Sequence, residues 1–164
     1  MILRVLALAG GVTTAAGLSQ FTEFSQQYVQ RLGGAVDELA VVVSDFDASA
    51  EDLGLSRDEA LEQMTGSAFV TARRGDMQRT FARYEILRAD LAALEAQGPF
   101  MRAYNVSRFR DASIAARAWE AYRPALPLSF AGMVFAGVGF VLGLLAVRLG
   151  AGLLRLPFSR RRPA

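Results

Sequence analysis

An all-α, membrane-anchored antiparallel helical hairpin, coiled-coil-like and carrying one certain and one marginal transmembrane helix, is the fold class the sequence predicts. Three observations predict it. The 164 residues segregate their charge: residues 1–22 hold only Arg4, residues 23–123 hold all 16 acids and 12 of the 18 arginines, and residues 124–164 hold five arginines and no acid. A run of 24 uncharged residues lies between Arg123 and Arg148. Between the apolar ends, hydrophobic residues recur in steps of three and four, the period of a helix with one buried stripe.

The first element is an anchor at residues 1–21. Val5 to Thr22 is uncharged, but Thr13, Thr14, Ser19 and Gln20 dilute it, and the strongly apolar part is Val5 to Leu18. That length is marginal for a span. Three readings stay open: a retained anchor, a secretory signal with Arg4 as its basic start and Ala15-Ala16-Gly17 as its cleavage region, and an interfacial helix. The retained anchor is the expectation.

The second element, residues 22–123, is expected to be a helical hairpin plus a short helix, exported from the cytoplasm. Phe21, Phe24, Tyr28, Leu32, Ala35, Leu39, Val42 and Phe46 form one stripe on a first helix that continues from the anchor. Phe21, Phe24 and Tyr28 are expected in core packing and an interfacial belt. Gly33-Gly34 interrupts the stripe and marks a bend or a close crossing. The helix should end near Gly54, after which Ser56-Arg57-Asp58-Glu59 reads as a capping box. A second helix carries Leu61, Met64, Ala68, Met77, Phe81, Tyr84, Leu87, Leu91 and Leu94, shifts register near Gly75 and stops at Gly98-Pro99. At 1.5 Å per residue the two helices would measure about 46 Å and about 61 Å, long enough to go out and return as antiparallel neighbours. Phe100, Met101 and Tyr104 are expected near the bilayer surface, and a short helix from about Asp111 to Tyr122 leads into Pro124. On the second helix, Arg73, Arg74, Arg79, Arg83 and Arg88 interleave with Asp76, Glu85 and Asp90. This is expected to be a solvated face with weak intrahelical pairs.

The third element is a transmembrane helix at residues 124–148. Pro124 to Val147 reaches about 36 Å as a helix, against a hydrocarbon core of about 30 Å. Only Ser129 is polar in the solid apolar run from Leu128, so no polar stripe lines an ion path. Small residues recur at helix-contact spacing in both apolar segments: Ala7, Gly11 and Ala15 in the first, and Gly132 with Ala136, then Gly139 with Gly143, in the second. In lipid such stripes let backbones approach closely, so these seven residues are the helix-packing candidates. Trp119 and Tyr122 on one side, and Arg148, Arg155, Arg160, Arg161 and Arg162 on the other, are the membrane-interface candidates. Residues 149–164 form the arginine-rich tail. The basic tail and Arg4 predict both ends in the cytoplasm and a periplasmic middle, a bias thinned by Arg108, Arg110, Arg117 and Arg123 beyond the other end of the span.

Composition excludes much chemistry. With no Cys and no His there is no ordinary zinc, haem, iron–sulfur or copper ligation, no thiol nucleophile and no Ser-His-Asp triad. With every cation an arginine there is no lysine Schiff base or P-loop lysine. A pI near 9.5 does not imply nucleic-acid binding, because residues 23–123 are net negative and their arginines are mixed with acids. Asp45, Asp47, Ser49, Glu51 and Asp52 invite a calcium loop, but neither register supplies the glycine at position six and the glutamate at position twelve. Two thin helices offer little concavity for a carboxylate-pair hydrolase. No catalytic, cofactor-binding or metal-binding residue is therefore expected, and no cofactor.

Several strings carry a family resemblance: Ala9-Gly10-Gly11, Gly17-Leu18-Ser19-Gln20-Phe21, Glu23-Phe24-Ser25-Gln26-Gln27-Tyr28, and Gln30-Arg31-Leu32-Gly33-Gly34-Ala35-Val36-Asp37-Glu38-Leu39. Gln63-Met64-Thr65-Gly66, Tyr84, Gly98-Pro99-Phe100 and Trp119 extend it over most of the chain. Together they resemble a bacterial membrane-protein family known only as a domain of unknown function. The resemblance implies an inner-membrane protein of two spans with no assigned activity or site. The functional expectation is a non-enzymatic membrane-anchored scaffold or accessory subunit. Its expected partners are the lipid bilayer and either itself or another membrane protein. A component of an oligomeric transport or channel assembly is the alternative, and it would need Thr13, Thr14 and Ser129 along a path.

Overall fold

The computed structural model describes residues 1–123 and 128–155, without the side chains of Leu154 and Arg155. Every regular element among them is helical: α1 (Ile2–Ser19), α2 (Phe21–Glu51), α3 (Arg57–Gln63), α4 (Ala68–Glu95), α5 (Pro99–Tyr104), a 3-10 turn (Val106–Arg108), α6 (Ala112–Ala121) and α7 (Phe130–Arg155). They fall into two compact units, Met1–Gln26 with Ala121–Ala164, and Gln27–Glu120.

The first unit pairs α1 with α7. Ser129 caps α7, its hydroxyl accepting the Gly132 amide at 3.1 Å, so the apolar helix starts two residues after Leu128. Residues 124–127, the start of the expected span, lie outside the described residues, as do 156–164 of the tail. At the other end of the unit α1 passes almost without a break into α2. Gln20 keeps helical dihedrals and its carbonyl accepts the Phe24 amide at 3.0 Å, so the backbone stays helical across the join of α1 and α2. Both apolar helices are long enough to cross a membrane, and only 17% of the most apolar stretch of each is buried. A core helix of a water-soluble protein would be mostly buried, whereas these turn Val5, Leu8 and Val12, and Val138, Leu142 and Leu145, outward.

The second unit is the hairpin. On α2 the buried positions Val29, Val36, Val43 and Ala50 repeat every seven residues. Ser25, Leu32, Leu39 and Phe46 repeat between them, the first two buried and the last two half-buried. These are the two core positions of a heptad seam. The expected stripe is thus corrected by one residue in two places. Val36 and Val43 are buried where Ala35 and Val42 were expected, and Val42 is exposed. Gly33-Gly34 does not interrupt α2, because Leu32 and Val36 on either side are locked into the seam. Nor is it a close crossing: a Cβ at Gly33 would meet only Leu91 at 4.0 Å, and one at Gly34 would meet nothing.

Facing residues establish the antiparallel course: Gly33 opposes Leu91, and Phe46 stacks edge-on against Phe81 with ring centroids 5.1 Å apart. The turn begins as expected. Gly54 takes φ +69°, its amide bonding Glu51 O at 2.8 Å and the next amide reaching Ala50 O at 2.9 Å, a Schellman stop. Ser56 and Glu59 then form the capping box.

The return helix departs from expectation. It is two helices, because the chain leaves helical dihedrals at Met64, Gly66 takes φ +104° and Ser67 caps α4 through the Val70 amide. No break occurs at Gly75, which lies inside α4. The kink at Gly66 lets Leu61 and Met64 fold onto Val43 and Phe81, closing the hairpin end with a small apolar cluster that an unbroken helix could not reach. The short helix expected from Asp111 to Tyr122 is α6, capped by Asp111, whose carboxylate accepts the Ser113 and Ile114 amides at 3.0 Å each.

Candidate functional site

The seven helix-packing candidates lie in the paired helices of the first unit. Ala7, Gly11, Gly132, Gly139 and Gly143 are buried, and Ala15 and Ala136 are half-buried. A Cβ added at Gly143 would sit 2.5 Å from Gly10 O and 2.7 Å from Thr14 Oγ1, and one at Gly139 would sit 2.6 Å from Thr14 O. At Gly11 it would strike the Phe140 ring at 2.9 Å, and at Gly10 it would strike Val147 at 2.7 Å. Backbones therefore touch along a seam in which rising α1 numbers meet falling α7 numbers. Phe21 and Phe135 extend it, with ring centroids 5.5 Å apart.

Gly10 and Thr14 are seam residues that sequence spacing missed; each stands one position before an expected small residue. Thr14 fits there because its hydroxyl donates to Gly10 O at 2.8 Å and leaves no free polar group at the contact. Thr22, buried further along in the same unit, has a hydroxyl with no partner among the described residues.

Of the interface candidates, Trp119 on α6 is exposed, and the Tyr122 hydroxyl donates to Gln20 Oε1. Arg148 is exposed on α7. Arg155 ends α7 with its side chain outside the described residues, and Arg160, Arg161 and Arg162 lie outside them altogether.

The hairpin carries a polar network that the sequence did not announce. Asp90, its side chain 1% exposed, accepts Arg110 Nε at 2.7 Å and Arg110 Nη2 at 3.0 Å, and Arg108 Nη1 at 3.1 Å. Two guanidiniums, one from the end of the 3-10 turn and one from two residues beyond it, thus hold one buried carboxylate on α4. Beside it Tyr28 lies fully buried, its ring 4.5 Å from Phe109, and its hydroxyl accepts the Asp111 amide at 3.4 Å. Burial raises the Tyr28 phenol above its usual value. Burial would also raise the Asp111 carboxyl. Hydrogen bonds from Ser113 and the Ile114 amide, with Arg83 at 2.9 Å, outweigh that and hold it below the usual carboxylate range.

At the hairpin turn Arg57 grips Asp47 with two bonds of 2.7 and 2.6 Å and lies 4.7 Å from the Phe81 ring centre. These bonds lower the Asp47 carboxyl. Asp47, the centre of the acidic cluster, is thereby committed to an arginine, and among the described residues no three carboxylates gather as a metal site. On α4 the expected intrahelical pairs are present, Asp76 with Arg73 at 3.0 Å and with Arg79 at 2.5 Å. Arg83 instead crosses to Asp111 and Ser113.

Between α2, α4 and α6 the hairpin encloses an open groove of about 940 Å³. Arg31, Arg79, Arg83 and Arg117 line it, with Glu38 and Asp76 as its acids. The three helices contribute through residues three or four apart on one face of each, but the pattern spans 90 residues and only the hairpin fold assembles it.

The chain matches no curated protein and no solved structure. A family described as "Protein of unknown function (DUF2937)" matches residues 2–160, nearly its whole length, and the chain belongs to that family.

Proposed function

We propose that this protein is a non-enzymatic scaffold or accessory subunit of a bacterial inner membrane, held by two spans and presenting its hairpin to a membrane-protein partner or to a second copy. The observation that carries the reading is the contrast between the two units. One turns apolar side chains outward along its whole seam and packs backbone to backbone, as lipid solvent requires. The other buries a heptad seam and leaves charge on its surface, as water requires.

Antiparallel pairing of α1 and α7 sets Arg4 and Arg148 toward the same end of the seam, which supports a cytoplasmic location for both termini and a periplasmic one for the hairpin. The non-enzymatic reading is supported by the commitment of Asp47, Asp76, Asp90 and Asp111 to arginine partners. A transport path is disfavoured because the Thr14 hydroxyl bonds to its own helix and the Ser129 hydroxyl caps one.

Crosslinking in native membranes, from a photoreactive residue placed at exposed Leu53 or Phe69 near the hairpin turn, tests the role. A discrete membrane-protein adduct, or a dimer of the chain, is expected. Capture no different from that of the same anchor bearing an unrelated hairpin would refute it. Release by alkaline carbonate would refute the spans themselves. A reporter active only after export, fused near Gly54, tests the orientation.

A further inference from the structure

We infer that the groove between α2, α4 and α6 binds a small phosphate-bearing ligand, with Arg31 and Arg117 holding the phosphate. Of the four guanidiniums lining it, two are already engaged, Arg79 with Asp76 and Arg83 with Asp111. Among the described residues Arg31 on α2 and Arg117 on α6 make no ion pair or hydrogen bond, although the other acid in the groove, Glu38, is equally unengaged there. Gln27 and Gln30 stand on the same face of α2 as Arg31, and their carboxamides are also unbonded among the described residues. Two free guanidinium forks and two free amides from different helices thus line one cavity whose internal ion pairs leave them over.

The chemistry of that surplus selects the ligand. A carboxylate has only two oxygens and about four acceptor sites; Asp90 already fills three of them with Arg110 and Arg108, so two bidentate forks and two carboxamides together offer more donors than a carboxylate can accept. A phosphate offers three or more oxygens and can take both forks, with amide donors for what remains. The volume, about 940 Å³, falls within the range of small-molecule sites. With Arg79 paired to Asp76 and Arg83 to Asp111, Arg31 and Arg117 against Glu38 leave the groove a small local positive surplus, while residues 23–123 as a whole are net negative and repel a long polyanion. The ligand is therefore a small phosphate ester, free in solution or presented as the headgroup of an anionic lipid.

The full chain in phosphatidylcholine nanodiscs is titrated with glycerol 3-phosphate, read by calorimetry. In a second arm water-soluble short-chain phosphatidylglycerol is titrated instead, read in the same way. Saturable binding is expected in at least one arm, the first assigning a soluble ester and the second a lipid headgroup.

Binding should weaken at least about tenfold in Arg31→Gln/Arg117→Gln and stay within about twofold in Arg74→Gln, which lies outside the groove. Neither groove arginine holds the fold together, so the double variant should keep its helicity. Each single variant should weaken binding at least about threefold, and each is informative should the double variant fold poorly. No saturable response in either arm, or binding that survives loss of both guanidiniums, overturns the inference.

Discussion

Gly143→Ala is the sharpest test of the anchor. The added methyl would sit 2.5 Å from Gly10 O, whereas ordinary contact begins near 3.4 Å, so α1 and α7 must separate by about 0.9 Å there. Neither obstacle can swing aside: Gly10 O is backbone, and the second one, Thr14 Oγ1 at 2.7 Å, is bonded to that same oxygen. Overpacking of this kind costs about 1–3 kcal/mol, and a gap approaching 1 Å forfeits a quarter to a half of each neighbouring dispersion contact. A loss near 2 kcal/mol is about thirtyfold in the pairing equilibrium. Gly137→Ala and Gly150→Ala are the controls, because a Cβ at either meets nothing within 4 Å. Both should be neutral or slightly helix-promoting.

The chain has no cysteine, so Gly10→Cys with Val147→Cys, where a Cβ at Gly10 would stand 3.9 Å from the Val147 Cβ, gives a unique pair at disulfide spacing whose rapid oxidation reports the paired state. Rapid oxidation is followed as the SDS fraction of a mixed micelle is raised. The midpoint should fall for Gly143→Ala by the equivalent of about 2 kcal/mol and stay put for both controls. An unchanged midpoint for Gly143→Ala, or an equal fall for Gly137→Ala, would mean the helices do not meet at this seam, and the case for a retained first span would fail with it.

Three further outcomes are expected. Asp90→Asn should destabilise the hairpin by about 1.5–3 kcal/mol, the worth of charge-assisted bonds, and Arg108→Gln by much less because Arg110 still holds Asp90; thermal melts compare them. Asp47 and Asp111 have lowered carboxyl values, so their contribution is complete above the unfolded value near pH 4 and is lost as pH falls through the folded ones. Stability should be level from about pH 8 to pH 5 and drop below about pH 4, less steeply in Asp47→Asn, whereas a drop beginning at neutral pH would contradict this. Thr22→Val removes a buried hydroxyl that has no partner at nearly constant shape and should stabilise the first unit by up to about 1 kcal/mol; a loss on SDS titration would show that the hydroxyl is satisfied.

What was legible in the sequence follows how local its cause is. The Schellman stop at Gly54, the capping box at Ser56 and Glu59 and the apolar helix after Ser129 each depend on a few neighbouring residues, and each stands where expected. The register of α2 was misread at Val42 because Val41-Val42-Val43 offers three equivalent residues, and only the partner helix decides which is buried. Gly66 outcompeted Gly75 as the break for a similar reason. Ser67 stands ready to cap after Gly66, whereas Asp76, Arg73 and Arg79 tie the turns on either side of Gly75. The clasp of Asp90 by Arg108 and Arg110, and the placing of Arg31 and Arg117 along one groove, involve residues 18 to 86 positions apart, and no periodicity carries such a signal.

The small residues of α1 and α7 and the large ones of α2 and α4 answer one problem in two solvents. Burying a leucine gains nothing where the surroundings are already hydrocarbon, so the first unit holds its helices by bringing backbones into contact, and its sensitive positions are the ones with no side chain. In water the gain comes from removing Tyr28, Leu32, Leu87 and Leu94 from solvent, and the charged clasp at Asp90 joins the α4 end of that core to the returning segment. Perturbations should sort accordingly: enlargement of a glycine harms the first unit, and truncation of a leucine harms the second. Leu94→Ala, at a fully buried site, should cost about 2–5 kcal/mol, whereas Leu145→Ala, on an outward face of α7, should leave the α1–α7 pairing intact. A protein in which both truncations were equally damaging would have its apolar helices in a soluble core, and the two-solvent account would be wrong.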